Sequence, residues 1–330
     1  MNIIYILAII FTFIAQGSFA QSESSVKNDD WFGIKGRVRA VDRWEEKSND
    51  MQHTVRGQIR VDGWVKLDKA GCVKLNARLT SGQNYNSEWL ITNLADGSEA
   101  YDINLRRLYV DYSCINEKVI LQAGAMPVMT NGRLGLTDYG WVDGVRVIIE
   151  DKNRTWYLSV GEISDLKTPN VFKRKHEGIN YLQAEVNQKF GKGNSLFVNV
   201  SEYEDTLYSR AGLKYAMNEY FKWLRVVSLE SVAAEALLSG DEKIGSHFES
   251  LFKRGEWSFI VIYADIHPNP SDIDKLNLLV KNSYGYGKNY YFEPSRTFGK
   301  NDNWIFGMRI RDGDAGLLVE TQFTRNFKVN

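Results

Sequence analysis

Cysteine, proline and histidine are scarce in this chain of 330 residues, with two, five and four copies respectively. Two cysteines, Cys72 and Cys114, permit one disulfide and exclude a disulfide-dense scaffold. The histidines are His53, His176, His247 and His267, and no pair has the spacing of metal ligands. No serine sits in a nucleophile elbow, and no Ser–His or Asp–His constellation can be assembled. No enzyme, metal or cofactor is therefore expected. Lysine plus arginine equals aspartate plus glutamate at 41 each, so no charge excess points to a nucleic-acid partner. Beyond the N-terminus there is no apolar run long enough to be a spanning helix.

The N-terminal run is the exception. Ile3 to Ala15 is apolar, Gln16 is polar, and the small residues Ser18 and Ala20 precede Gln21. About 13 apolar residues fall short of the ~20 that a spanning helix needs. This is the pattern of a secretory signal peptide cleaved after Ala20, although no lysine or arginine precedes the run. The expected organisation is a signal peptide over 1–20, a polar leader over 21–30 and one body over 31–330.

What that body has in abundance is glycine (27 residues) and aromatics (13%), with alternation of period two. Over Thr54 to Leu67 the residues Val55, Gly57, Ile59, Val61, Gly63, Val65 and Leu67 alternate with Arg56, Gln58, Arg60, Asp62, Trp64 and Lys66. The segment after it repeats the pattern, with Val73, Leu75, Ala77 and Leu79 against Lys74, Asn76, Arg78 and Thr80. A three-residue loop of Lys69, Ala70 and Gly71 sets Leu67 opposite Val73 and Asp62 opposite Arg78. A two-residue loop at Lys152 and Asn153 sets Ile149 against Trp156, Val147 against Leu158 and Val145 against Val160, all apolar and on one side.

Extended along the chain, this reading gives about sixteen strands (14 to 18), near 31–43, 54–67, 72–81, 102–113, 118–127, 142–151, 154–162, 177–190, 194–203, 207–217, 221–231, 243–253, 256–265, 276–285, 303–311 and 316–327. Leu276 to Asn301 is the least regular stretch. Long connections, at Glu45–His53, Gly82–Tyr101, Val128–Trp141 and Ile163–His176, alternate with short ones. Trp31, Trp156, Trp223, Trp257 and Trp304 fall at the start of strands rising from the short-turn end, as an interfacial girdle would. Helical spacing occurs only in Ser228 to Gly240, which reads either as a loop helix or as a strand ending in a small-residue loop.

The expected fold is all-β, a transmembrane antiparallel β-barrel in a Gram-negative outer membrane, with short turns in the periplasm. One face of its early strands collects Lys35, Arg37, Arg39, Arg56, Arg60, Lys66, Lys74, Arg78 and Arg107 against Asp62 and Asp111. Later strands add Arg146, Arg210, Lys214, Arg309 and Arg311, with Glu150, Glu185, Glu249 and Glu320. A basic lumen favours anions; the competing reading is a salt-bridged wall without selectivity. His53 and His176 fall on outer loops, and His247 shares a face with Glu249. Cys72 and Cys114 lie at the turn ends of neighbouring strands, but strict alternation points them to opposite faces, so a bridge requires a turn distortion around Cys114.

The runs VRGQIRVDGWVKLDKAGCVKLNARLTSG and INLRRLYVDYSCINEKVILQAGAMPV resemble the N-terminal part of bacterial putative porins, akin to phosphate-selective and alginate-export porins. The resemblance rests on Arg56 and Arg60, Ala77 to Gly82, Leu105 to Tyr112, and Gly124 to Pro127, and covers about a third of the chain. It implies a channel for small hydrophilic solutes, with Arg56, Arg60, Arg78 and Arg107 lining the pore and outer-membrane lipid around the barrel. Porins of this kind often form homotrimers. Two other readings are an outer-membrane enzyme or adhesin on a barrel without an open pore, and a soluble secreted β-sandwich that binds polysaccharide.

Overall fold

Alternation of apolar and polar residues at period two is what a sheet with two unlike faces demands, and the fold carries it around a closed surface. The computed structural model describes residues 30–47, 50–82, 90–93, 102–116, 118–128, 140–163, 168–204, 206–217, 220–236, 242–267, 287–298, 302–311 and 317–329. Among these residues every regular element is a strand, and no helix is long and apolar enough to cross a membrane. Phe32–Asn330 forms one compact unit.

In chain order the strands are β1 (Phe32–Lys47), β2 (Asp50–Lys66), β3 (Val73–Ser81), β4 (Leu90–Asn93), β5 (Ile103–Asn116), β6 (Val119–Pro127), β7 (Trp141–Glu150), β8 (Arg154–Glu162), β9 (Tyr181–Phe190), β10 (Asn194–Tyr203), β11 (Thr206–Ala216), β12 (Leu224–Ala236), β13 (Glu242–Arg254), β14 (Trp257–His267), β15 (Gly287–Phe298), β16 (Asp302–Arg311) and β17 (Leu317–Val329). Apart from the short β4, which β3 bypasses to pair with β5, neighbours in sequence pair antiparallel, and β1 pairs with β17 from Ile34↔Val329 to Glu45↔Leu318, which closes the sheet. The short β4 pairs with the upper part of β2, so sixteen strands make the barrel.

Both hairpin registers follow the expectation. Asp62 faces Arg78, the Leu67 amide donates to the Val73 carbonyl at 2.8 Å, and Gly71 takes the positive φ of 70° that the turn requires. Across β7 and β8, Val145 faces Val160, Val147 faces Leu158 and Ile149 faces Trp156.

Two expectations need correction. The connection between β1 and β2 is not a long loop over Glu45–His53: the strands run on to Lys47 and Asp50, and the Trp44 ring stacks on His53 at 4.1 Å. His53 is therefore a strand residue, bonded to Asp42, rather than a loop histidine. Of the two readings open for the stretch from Ser228, the strand is the one found, as far as Ala236; Ala233 and Ser231 suit a sheet face as well as a helix stripe. The strand expected over 276–285 lies outside the described residues; the partner of β14 is Gly287–Phe298.

Burial is inverted relative to a water-soluble domain. Val145, Leu158, Leu182, Leu196, Val198, Val200, Leu213 and Leu229 are exposed and share the outward face, while Gln58, Arg146, Glu185, Asn199, Arg210 and Glu230 are buried on the inward one. Trp156, Trp223 and Trp257, all exposed, stand at the turn end with Phe298 and Phe327, and Trp304 is there too. Trp31 directly precedes β1 in sequence. Arg254 lies 5.0 Å from the Trp223 ring, and Arg296 5.5 Å from that of Trp257.

Inward-facing Gly124, Gly144 and Gly161 form one row across β6, β7 and β8. A Cβ on Gly144 would stand 2.2 Å from the Val160 carbonyl oxygen, a backbone atom that cannot turn aside. Gly144→Ala should therefore cost about 1 to 3 kcal/mol through overpacking, read as a lower urea midpoint of the refolded barrel.

Candidate functional site: the inward wall

The inward face is built by strand parity. Lys35, Arg37 and Arg39 on β1, Arg56, Arg60 and Asp62 on β2, Lys74 and Arg78 on β3, and Arg107 and Asp111 on β5 all lie opposite in parity to the exposed apolar residues. The registers line them up across strands: Lys35 faces Asp62, Asp62 faces Arg78, and Arg78 faces Arg107. Arg37 faces Arg60 and Lys74 faces Asp111. Like charges set opposite each other are unfavourable unless carboxylates, solvent or an anion intervene.

Carboxylates answer part of this charge. Asp62 accepts from Arg60 Nε at 2.9 Å and from Arg78 Nε at 2.5 Å. Arg43 donates Nε and Nη2 to Glu320 Oε2 at 3.0 and 2.7 Å, and Tyr291 donates to Glu320 Oε1 at 3.1 Å. Asp111 accepts from Asn76 Nδ2 and Gln122 Nε2, both at 2.9 Å, so amides rather than guanidinium groups hold it. The cations of β1, β2, β3 and β5 outnumber the carboxylates among them, and this sector of wall is net positive. Within it lies a recess of about 200 Å³ lined in part by Lys35, Asp62, Trp64, Arg78, Arg107 and Tyr109.

A second, more balanced sector continues from β6 to β10. Arg146 is buried; it donates Nε to Ser159 Oγ at 2.7 Å, Nη1 to Gln122 Oε1 at 3.4 Å and Nη2 to the Pro127 carbonyl at 2.8 Å. Ser159 Oγ donates to Gln183 Oε1 at 3.1 Å, and Asn199 Nδ2 donates to Glu185 Oε2 at 3.0 Å. One hydrogen-bonded band thus ties Asp111 to Gln183 across β5–β9, with the Glu185–Asn199 pair beside it. Such a band suits a wall that must stay polar and rigid.

Of the later residues expected on this face, Arg210, Lys214, Glu150, Glu249 and Glu320 have inward parity. The side chains of Arg309 and Arg311 lie outside the described residues. His247 is buried on the inward face, whereas His176 stands largely exposed with Nδ1 2.9 Å from Glu162 Oε2. The charge-based reading missed the neutral members of the wall, Gln122, Ser159, Gln183 and Asn199, although their alternation with apolar residues marked them. Among the described residues, no group of three or more histidine, cysteine, aspartate or glutamate side chains converges to hold a metal.

No protein-family model and no curated protein matches the chain. Solved structures do. A Rhodopseudomonas blastica porin triple mutant is 12% identical, with a TM-score of 0.55 over 90% of this chain and 100% of that one. The Salmonella typhi OmpF complex with daunomycin is 11% identical, with a TM-score of 0.61 over 92% of this chain and 99% of the other. At such identities the likeness speaks to architecture, and the architecture that this chain shares is the porin fold.

Proposed function

We propose that the protein is an outer-membrane porin through which small hydrophilic solutes diffuse passively, with anions favoured. The observation that supports this best is the inverted burial: a closed barrel of sixteen strands with an exposed apolar belt outside, tryptophans at the turn end and a polar wall inside. Water-soluble monomers rarely expose contiguous apolar patches of more than a few hundred Å², whereas a bilayer covers such a belt. Sixteen strands are also enough to enclose an aqueous channel. Anion preference follows from the net positive sector of β1, β2, β3 and β5. The signal peptide over 1–20, kinship with phosphate-selective and alginate-export porins, and a homotrimer belong to the same reading.

Liposome swelling tests it. Vesicles reconstituted with the protein should swell in isosmotic small sugars and less as the sugar grows; vesicles that swell no faster than protein-free ones would count against it.

The Cys72–Cys114 disulfide is part of the proposal. The Cys72 carbonyl accepts from Ser113 N at 3.0 Å and Ser113 Oγ at 3.3 Å, and the β5–β6 register shifts between Tyr112 and Asn116, where a change of parity is needed. A maleimide should leave the unreduced, denatured protein unlabelled and add two labels after reduction. Two labels without reductant would rule the bridge out.

A further inference from the structure

Near the loop end, the outward face of β7 and β8 breaks its own rule. Trp141, Asp143 and Glu162 share parity with exposed Val145 and Leu158, yet Trp141 is only 1% exposed and Glu162 6%. The cover is residues 168–180, a strap leading into β9. Arg174, with no exposed side-chain surface, places its guanidinium 4.0 Å from the Trp141 ring centroid. Its Nη1 donates to both Asp143 oxygens at 2.8 and 3.0 Å, and its Nη2 to the carbonyls of Arg106 and, at 2.8 Å, Pro169. The Val171 amide donates to the Leu105 carbonyl at 2.9 Å. Glu162 accepts from the amides of Glu177 and, at 3.1 Å, Gly178.

The strap thus pairs Asp143 with a guanidinium, satisfies Glu162 with two backbone amides, and presents a new surface in their place. Asn170 makes a turn, its Oδ1 accepting from the Phe172 amide at 3.1 Å, and Phe172 stands 53% exposed, with Ile179 75% exposed. Lys173 and Lys175 are exposed beside them. An aromatic and an aliphatic side chain flanked by lysines is the chemistry of a lipid headgroup boundary, where rings sit at the interface and ammonium groups meet anionic headgroups.

We propose that this strap is an interfacial membrane anchor, with Phe172 and Ile179 entering the headgroup boundary on the loop side of the bilayer and Lys173 and Lys175 facing anionic lipid. A lipid surface is favoured over a second copy because the strap continues the exposed apolar face of Leu158 and Leu182 and carries cations at its edge. The inference rests on the barrel lying in a membrane.

The test uses the full chain refolded into mixed phosphatidylcholine–phosphatidylglycerol vesicles, with a nitroxide on Phe172→Cys or Ile179→Cys. Leu182→Cys on the belt and Lys192→Cys in the β9–β10 turn serve as references, and the unsubstituted protein, labelled in parallel without reductant, supplies the background. Collisional accessibility is read with oxygen, which concentrates in lipid, and with a water-soluble nickel chelate. The oxygen-to-nickel ratio at 172 and 179 should be several-fold above that at 192 and approach that at 182. A ratio equal to that at 192, with 182 still in lipid, would overturn the anchor alone. Spin–spin broadening between labels on different molecules would overturn it in favour of a second copy. If 182 also reads as water, the membrane reading itself fails and the anchor with it.

Discussion

Val198→Arg should cost about 2 to 4 kcal/mol of folding stability in a bilayer, whereas Val198→Leu should stay within about 0.5 kcal/mol of the parent. Val198 lies mid-strand on β10, is 42% exposed, and faces Val186 and Ala211 on its neighbours. It has no carboxylate beside it to receive a guanidinium, and a cation there would have to reach the bilayer surface from near its middle. In a soluble sandwich, an exposed valine replaced by arginine would lose almost nothing. Urea unfolding of the protein in vesicles, followed by tryptophan fluorescence, separates the two cases, and equal midpoints for Val198→Arg and Val198→Leu would mean the outward face meets water.

The second large effect is on ion selectivity. Arg37 and Arg60 face one another across β1 and β2 on the inward wall, and the wall around them carries Arg39, Arg56 and Arg78. Screening acts over about 10 Å at 0.1 M salt and about 30 Å at 0.01 M, distances comparable to the width of a modest pore. Ions passing the wall therefore sense these charges together, and more strongly as salt falls. Arg37→Gln with Arg60→Gln should lower the chloride-to-potassium permeability ratio by about two- to fivefold at low salt and less at high salt. Reversal potentials under a salt gradient measure the ratio. Values unchanged by the double substitution would show that the arginines serve the wall alone, as the Arg60–Asp62–Arg78 bridge already does in part.

Much of the barrel is legible in the sequence because the two faces of its strands differ in kind, apolar outward and polar inward. Wherever the alternation is strict, as in Thr54–Leu67 or Val145–Val160, both strand and register follow from residue type alone. It becomes illegible where the alternation of residue types lapses. Trp44 and His53 continue the β1–β2 hairpin by stacking, which the polar residues around them conceal. Ser231 and Ala233 are small enough to fit helix or strand. Asp143 and Glu162 are carboxylates on the outward face, tolerable only because Arg174 and the amides of Glu177 and Gly178 arrive from a segment distant in sequence. The inward wall was legible in its charges and not in its connectivity. Arg146 is marked as inward by parity, but only the folded chain shows that Ser159, Gln122 and the Pro127 carbonyl hold it in place.

The central claim is that the barrel conducts, and single-channel recording in a planar bilayer tests it most directly. Purified, heat-modifiable protein added to one side should produce discrete conductance steps that are ohmic and grow with salt concentration, with reversal potentials displaced toward chloride under a salt gradient. Protein that inserts and remains heat-modifiable, yet leaves the bilayer at its bare conductance, would contradict the account and indicate a barrel whose interior is closed.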